Sequence, residues 1–306
     1  MLYGATGSTI LPQIIEIVQK NGADNPLVIV GMALVVVAMS FKIAIVPFHM
    51  WTPDVYTGAP TPVTGFLSAA AKAAGFAVFV RVLLTGIPLD GANWENVLWI
   101  LAVLSMTVGN LMALRQSEVK RMLAFSSIAH AGYVLVAVVV GSASAISGVI
   151  FYSFAYAVMG TGAFGILTIK YAGHVPQTYD ALAGYGKLNP FQALMMTLFM
   201  FSLIGLPLTG GFIGKFQIFS AALGGGWVWL TVIGILNSAL SAYYYLRVVM
   251  FMYMREGTLP EGTDLSGKSS GFALTGLIGM AVTVIYLGIF PDKLIELASS
   301  SIQALL

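Results

Sequence analysis

Four side chains sit where their chemistry needs a reason. Lys42 lies in Ser40-Phe41-Lys42-Ile43-Ala44-Ile45-Val46-Pro47, and Lys72 in Ser68-Ala69-Ala70-Ala71-Lys72-Ala73-Ala74-Gly75. Lys215 lies in Gly210-Gly211-Phe212-Ile213-Gly214-Lys215-Phe216, and His130 in Ser126-Ser127-Ile128-Ala129-His130-Ala131-Gly132-Tyr133. Each interrupts a run apolar enough for a lipid interior. An amine or imidazole in that setting relays protons, forms a Schiff base with a carbonyl, or is held inert by neighbouring backbone oxygens.

The composition says what must position them. Of 306 residues, 58% are hydrophobic and 8% charged, against roughly a quarter charged in soluble domains, and the mean hydropathy is +0.90. Fourteen basic and twelve acidic residues could not cover a soluble globule of this length. The chain reads as a membrane protein that crosses the bilayer many times. With no cysteine it can form no disulfide, zinc–thiolate site or iron–sulfur cluster. Three scattered histidines do not suggest haem, and no basic tract suggests nucleic acid. The start, Met1-Leu2-Tyr3-Gly4-Ala5-Thr6-Gly7, lacks the basic and apolar regions of a signal peptide and resembles the end of an earlier helix.

A bilayer core about 30 Å thick takes roughly 20 apolar residues per helix. Windows of that size predict eight spans near 27–48, 62–86, 94–114, 121–140, 145–170, 190–221, 226–253 and 271–290. The whole chain, 1–306, reads as one transmembrane domain. Lysine and arginine bias orients it. Arg115, Lys120, Arg121, Lys170, Lys187, Arg255 and Lys268 fall in one set of loops, and only Lys20 and Lys293 in the other. The richer set is expected to face the cytoplasm or its equivalent. Arg81 and Arg247, near span ends, can snorkel to the headgroups.

Lys72 cannot. It lies about ten residues into its span, roughly 15 Å deep, beyond the reach of its own stem. Lys42 is expected well inside the first span, shortly before the helix-breaking Pro47. The polar, proline-rich run from Phe48 to Pro62 reads as an interfacial link with aromatic anchors, with Asp54 pinning it. A second break is expected around Pro207, Gly210 and Gly211, close to Lys215. Unwound backbone at that depth survives only where protein or water satisfies it. Two segments that each combine a helix breaker with a buried lysine form the pattern of inverted-repeat transporters. No aspartate or glutamate lies in the interior of a predicted span, so these amines must be uncharged or paired with acids from elsewhere. His49 and His174 fall in loops and are assigned no chemistry.

The run from Lys42 to Lys72, with its Pro-Phe-His-Met-Trp-Thr-Pro-Asp-Val-Tyr core, closely resembles the antiporter-like membrane subunit N family of respiratory complex I. So do Gly109 to Leu114, Lys120 to Tyr133, Gly210 to Phe216, and Tyr243-Tyr244-Tyr245-Leu246-Arg247. The resemblance covers essentially the whole chain. It implies an all-α, polytopic helix bundle of about eight spans, two of them broken: half of an inverted-repeat antiporter-like fold plus its C-terminal part. These would match the last eight helices of a fourteen-helix subunit. The family's broken seventh-helix lysine falls on Lys42, its eighth-helix lysine on Lys72, and its broken twelfth-helix lysine on Lys215. Its fifth-helix glutamate has no counterpart here, so the chain resembles a C-terminal portion.

The function implied is proton translocation in a multi-pass energy-transducing membrane, such as the inner (plasma) membrane of a bacterium. Lys42, Lys72, His130 and Lys215 would pass protons along a hydrated axis, and Pro47, Pro207, Gly210 and Gly211 would open the helices that line it. The other membrane subunits of NADH–quinone oxidoreductase would be its partners. No cofactor is expected in this chain; flavin, iron–sulfur clusters and quinone would belong to those partners. Three rivals share some of these features: a subunit of a multisubunit sodium/proton antiporter, a purely structural membrane subunit, and a retinal protein. The last lacks a carboxylate counter-ion within its spans.

Overall fold

Long apolar runs become helices in lipid because every backbone N–H and C=O must find its partner within the segment. The computed structural model describes residues 1–21, 25–86, 94–170, 177–256 and 271–303, and among them helices are the dominant element. Short α1 (Leu2–Thr6) and α2 (Leu11–Asn21) precede α3 (Pro26–Ile43), whose first turn is capped by Asn25 Oδ1 accepting from Leu27 N at 3.0 Å. Next come α4 (Trp51–Gly58), α5 (Thr61–Phe66), a π-helical turn at Leu67–Ala71, and α6 (Lys72–Gly86). Then follow α7 (Trp94–Leu114), α8 (Val119–Val140), α9 (Ala143–Lys170) and the single turn α10 (Tyr185–Leu188). The chain continues with α11 (Pro190–Ile204), α12 (Gly210–Gly224), α13 (Val228–Met254), α14 (Gly271–Ile289) and α15 (Asp292–Gln303).

Among the described residues, α3, the continuous Thr61–Leu83, α7, α8, α9, α13 and α14 are each long and apolar enough to cross a bilayer. The eighth expected span is α11 and α12, two half-helices separated by Gly205 to Thr209. A helix apolar all round belongs in an interior, and α8 is that helix: nearly every residue from Val119 to Val139 is buried. Helices α7, α9, α12 and α13 pack around it. By contrast α14 buries only Leu277, Ala281, Val284 and Leu287 and turns most of its surface outward.

Both breaks have local causes. The first helix ends at Ile43, earlier than the sequence suggests, because Ala44 takes a left-handed conformation with φ of 61°. The loosened backbone is tied down: Trp51 Nε1 donates to Phe41 O at 2.9 Å, and Val46 N donates to Ser105 Oγ at 3.0 Å. In the second break, Gly205 ends α11 at φ of 89°, a conformation glycine adopts without penalty. Pro207 follows in the gap. Thr209 Oγ1 then accepts from Phe212 N to start α12.

The run after Pro47 forms a helix, α4, that packs on α8 and buries Thr52, Pro53 and Tyr56, while Met50, Asp54 and Val55 stay exposed. Two of its carbonyls meet protein: Lys120 Nζ donates to Thr57 O at 3.2 Å and Ala59 O at 2.6 Å. Asp54 accepts from Arg121 Nη1 at 2.9 Å, which gives the pinning contact a partner. That pair is largely open to solvent, where ion pairs contribute at most about 1 kcal/mol. We therefore expect Asp54→Asn to leave thermal unfolding in detergent nearly unchanged; a large loss of stability would show that α4 depends on this pair.

Candidate functional site

Lys72 is the first residue after the π-helical turn, an irregularity common at functional positions. It is 4% exposed. Its Nζ donates to Ser127 O at 2.7 Å and Ser127 Oγ at 2.9 Å, reaching across to α8. One turn further along α8 is His130, 2% exposed. Its Nδ1 lies 2.5 Å from Tyr152 OH on α9, and its Nε2 lies 2.8 Å from Tyr245 OH on α13. A neutral imidazole donates from one nitrogen and accepts at the other. One phenol therefore donates to the ring while the other accepts from it, and the two roles exchange when the tautomer changes. Tyr245 is bonded in turn to Ser126 Oγ.

A cavity joins these two stations. It has about 20 Å³ of space for a water centre and is lined by Lys72, Ser127, His130, Tyr152, Ser153 and Tyr156, among others. That is room for one water. Ser153 Oγ is buried in its wall with no hydrogen-bond partner among the described residues, the kind of group an ordered water satisfies.

Lys215, also 4% exposed, occupies the second break. Its Nζ donates to Leu203 O at 2.9 Å, Ile204 O at 2.8 Å and Ser238 Oγ at 2.9 Å. The two carbonyls belong to the last turn of α11, where the helix dipole presents partial negative charge. The ring of Tyr133 lies 4.8 Å below the amine, within cation–π range. Tyr133 also meets His130 edge-on, with ring centroids 5.5 Å apart. One phenol ring therefore bridges His130 and Lys215. Among the described residues no carboxylate pairs with Lys72 or Lys215; hydroxyls and carbonyls hold both.

The structure buries three of the four expected stations and leaves the fourth exposed. Lys42 is exposed on the last turn of α3, a helix packed here mainly against α1 and α6. Pro47 and Pro207 stand in the two interruptions, and Gly210 and Gly211 open α12. His49, assigned no chemistry from sequence, is buried with Nδ1 unpartnered among the described residues. His174 and Lys268 lie outside the described residues. Sequence reading missed the hydroxyl groups: Ser127, Tyr133, Tyr152, Ser238 and Tyr245. The i, i+4 spacing of Tyr152 and Tyr156 on an otherwise apolar helix was the available signal. Among the described residues no cluster of three His, Asp or Glu could hold a metal ion.

Interrupted membrane helices around buried, carboxylate-free lysines define an antiporter-like class of helix bundle. Residues 1–241 match the family described as NADH:quinone oxidoreductase/Mrp antiporter, TM, and the chain belongs to that family. It is 48% identical over 305 residues to a protein of Trichlorobacter lovleyi named NADH-quinone oxidoreductase subunit N, covering 99% of this chain and 62% of that one. The chain thus spans about three fifths of the length of the curated relatives it matches. A chain of respiratory complex I from Thermus thermophilus superposes with a TM-score of 0.79 at 36% identity, covering 96% of this chain and 62% of its own. A chain of the Mrp complex from Dietzia superposes with a TM-score of 0.85 at 22% identity, covering 97% of this chain and 62% of its own, which speaks for the fold alone.

Proposed function

We propose that the chain is a proton-translocating membrane subunit of an NADH–quinone oxidoreductase. It would work beside other membrane subunits, with flavin, iron–sulfur clusters and quinone held by partners. The residues then have stated tasks. A water in the cavity takes a proton from Lys72 Nζ and gives it to Tyr152 OH, which passes its own proton to His130 Nδ1. The ring releases its Nε2 proton to Tyr245 OH, which gives its own proton on to Ser126 Oγ. Lys215 is the next site, reached past Tyr133 with water completing the contact. Two like charges ~8 Å apart at an effective dielectric of ~20 repel by about 2 kcal/mol, enough to bias a neighbour's protonation more than tenfold. Charge arriving at one station therefore drives it from the next. Lys42 stands at the edge of this path. The setting would be the plasma membrane of a bacterium or an equivalent energy-transducing membrane, with the lysine- and arginine-rich loops inside.

The observation that carries the proposal is the burial of Lys72, His130 and Lys215 among serine and tyrosine side chains with a water-sized cavity between the first two. A sodium/proton antiporter subunit is the second reading, favoured by the family's own description, which covers both kinds of protein. The test is Lys72→Ala in the assembled complex, measured as protons moved per electron in membrane vesicles. Proton movement is expected to fall sharply. Undiminished pumping would overturn the proposal, and sodium-dependent transport without any NADH-oxidising partner would favour the antiporter.

A further inference from the structure

Behind Tyr133 lies a polar network centred on an amide that has no part in the relay. Asn110 is fully buried in α7. Its Nδ2 donates to Asn237 O at 3.0 Å, Asn237 Oδ1 at 3.2 Å and Tyr133 OH at 3.3 Å. Its Oδ1 accepts from Tyr244 OH at 2.8 Å. Asn237 reaches back from α13 to Thr107 Oγ1 at 3.3 Å. One amide thus joins α7, α8 and α13, and both its ends are occupied.

The next residue on α13 after Asn237 is Ser238, whose hydroxyl accepts from Lys215. Tyr133, whose hydroxyl Asn110 touches, carries the ring beneath the same amine. Two of the four groups around Lys215 are therefore tied to Asn110, Tyr133 directly and Ser238 through its neighbour Asn237, although Asn110 does not touch the lysine; Ser238 Oγ also donates to Ile204 O at 3.2 Å. Buried amides and phenols cost free energy when unpaired, so this network holds α13 in one register against α7 and α8. A hydrogen bond weakens steeply with small displacements, and Ser238 moves with α13.

We infer that Asn110 is a positioning residue for Lys215, holding Ser238 and Tyr133 where they contact the amine. This rests on the relay reading of Lys215. Asn110→Leu keeps the shape and removes every donor and acceptor. In the assembled complex it is expected to slow proton translocation severalfold and displace its pH profile. The loss should not add to that of Ser238→Ala, because both act on one contact, and should add to that of Ser127→Ala at the Lys72 end. Should the leucine variant fail to assemble, Asn110→Ser, too short to span to Asn237, is expected to give the same result. Unchanged pumping and pH profile in whichever variant assembles, or full additivity with Ser238→Ala, overturns the inference. Normal pumping in Lys215→Met would instead remove the relay reading, and this role with it.

Discussion

Lys215→Met in the assembled complex is expected to cut proton translocation by ~100-fold or more, the usual scale for losing a positioned acid–base group. Methionine matches the length of the lysine stem and fills the same space, so the break between α11 and α12 keeps its packing. What disappears is the donor. Leu203 O, Ile204 O and Ser238 Oγ each lose the hydrogen bond that Nζ supplies. Two of them are carbonyls at a helix end, so the change also leaves the negative end of α11 without its cation. Lys215→Arg keeps a charge yet offers a planar fork with a much higher proton affinity, which cannot release the proton. The arginine variant is therefore expected to assemble better than the methionine variant and to pump no faster. Proton uptake by vesicles, set against NADH oxidation in the same preparation, checks both. Pumping restored by arginine would mean that Lys215 serves as fixed charge and carries no proton.

Much of this site was legible because charge is expensive in a chain that is 58% hydrophobic. Lys72 and Lys215 announce themselves by depth alone, and the helix breakers near Lys215 mark its segment as irregular. Other features depend on contacts between distant parts of the chain. Tyrosine is tolerated in membrane helices for its ring, so nothing in the sequence separates Tyr245, which holds His130, from Tyr243, which is exposed. The polarity of the run after Pro47 does not reveal that Thr52 and Tyr56 are buried in a helix packed on α8. Lys42 reads as deep by its position in a span, while its exposure follows from which helices pack beside α3.

Gly211→Ala is expected to prevent the α11–α12 unit from forming at all. A Cβ at this position would stand 1.9 Å from Ser202 O, 2.8 Å from Ser202 C and 2.9 Å from Ser202 Oγ. The first two are backbone atoms, so no side-chain rotation relieves the clash. Ser202 Oγ also accepts from Gly211 N at 3.1 Å, and a methyl group would separate that pair. Moving α12 outward to make room would lift Lys215 from Leu203 O and Ile204 O, on the helix that holds Ser202. Overpacking a tight interior costs about 1–3 kcal/mol when neighbours can yield, and more where backbone meets backbone. Gly276→Ala is the matching control, since a Cβ there meets nothing within 4 Å. Alanine in that helix is expected to be neutral or to stabilise by up to about 1 kcal/mol through its helix propensity. The comparison is the abundance and thermal unfolding of each variant in membranes. Normal amounts of the Gly211→Ala protein would mean that α11 and α12 do not approach as closely as the Lys215 seat requires.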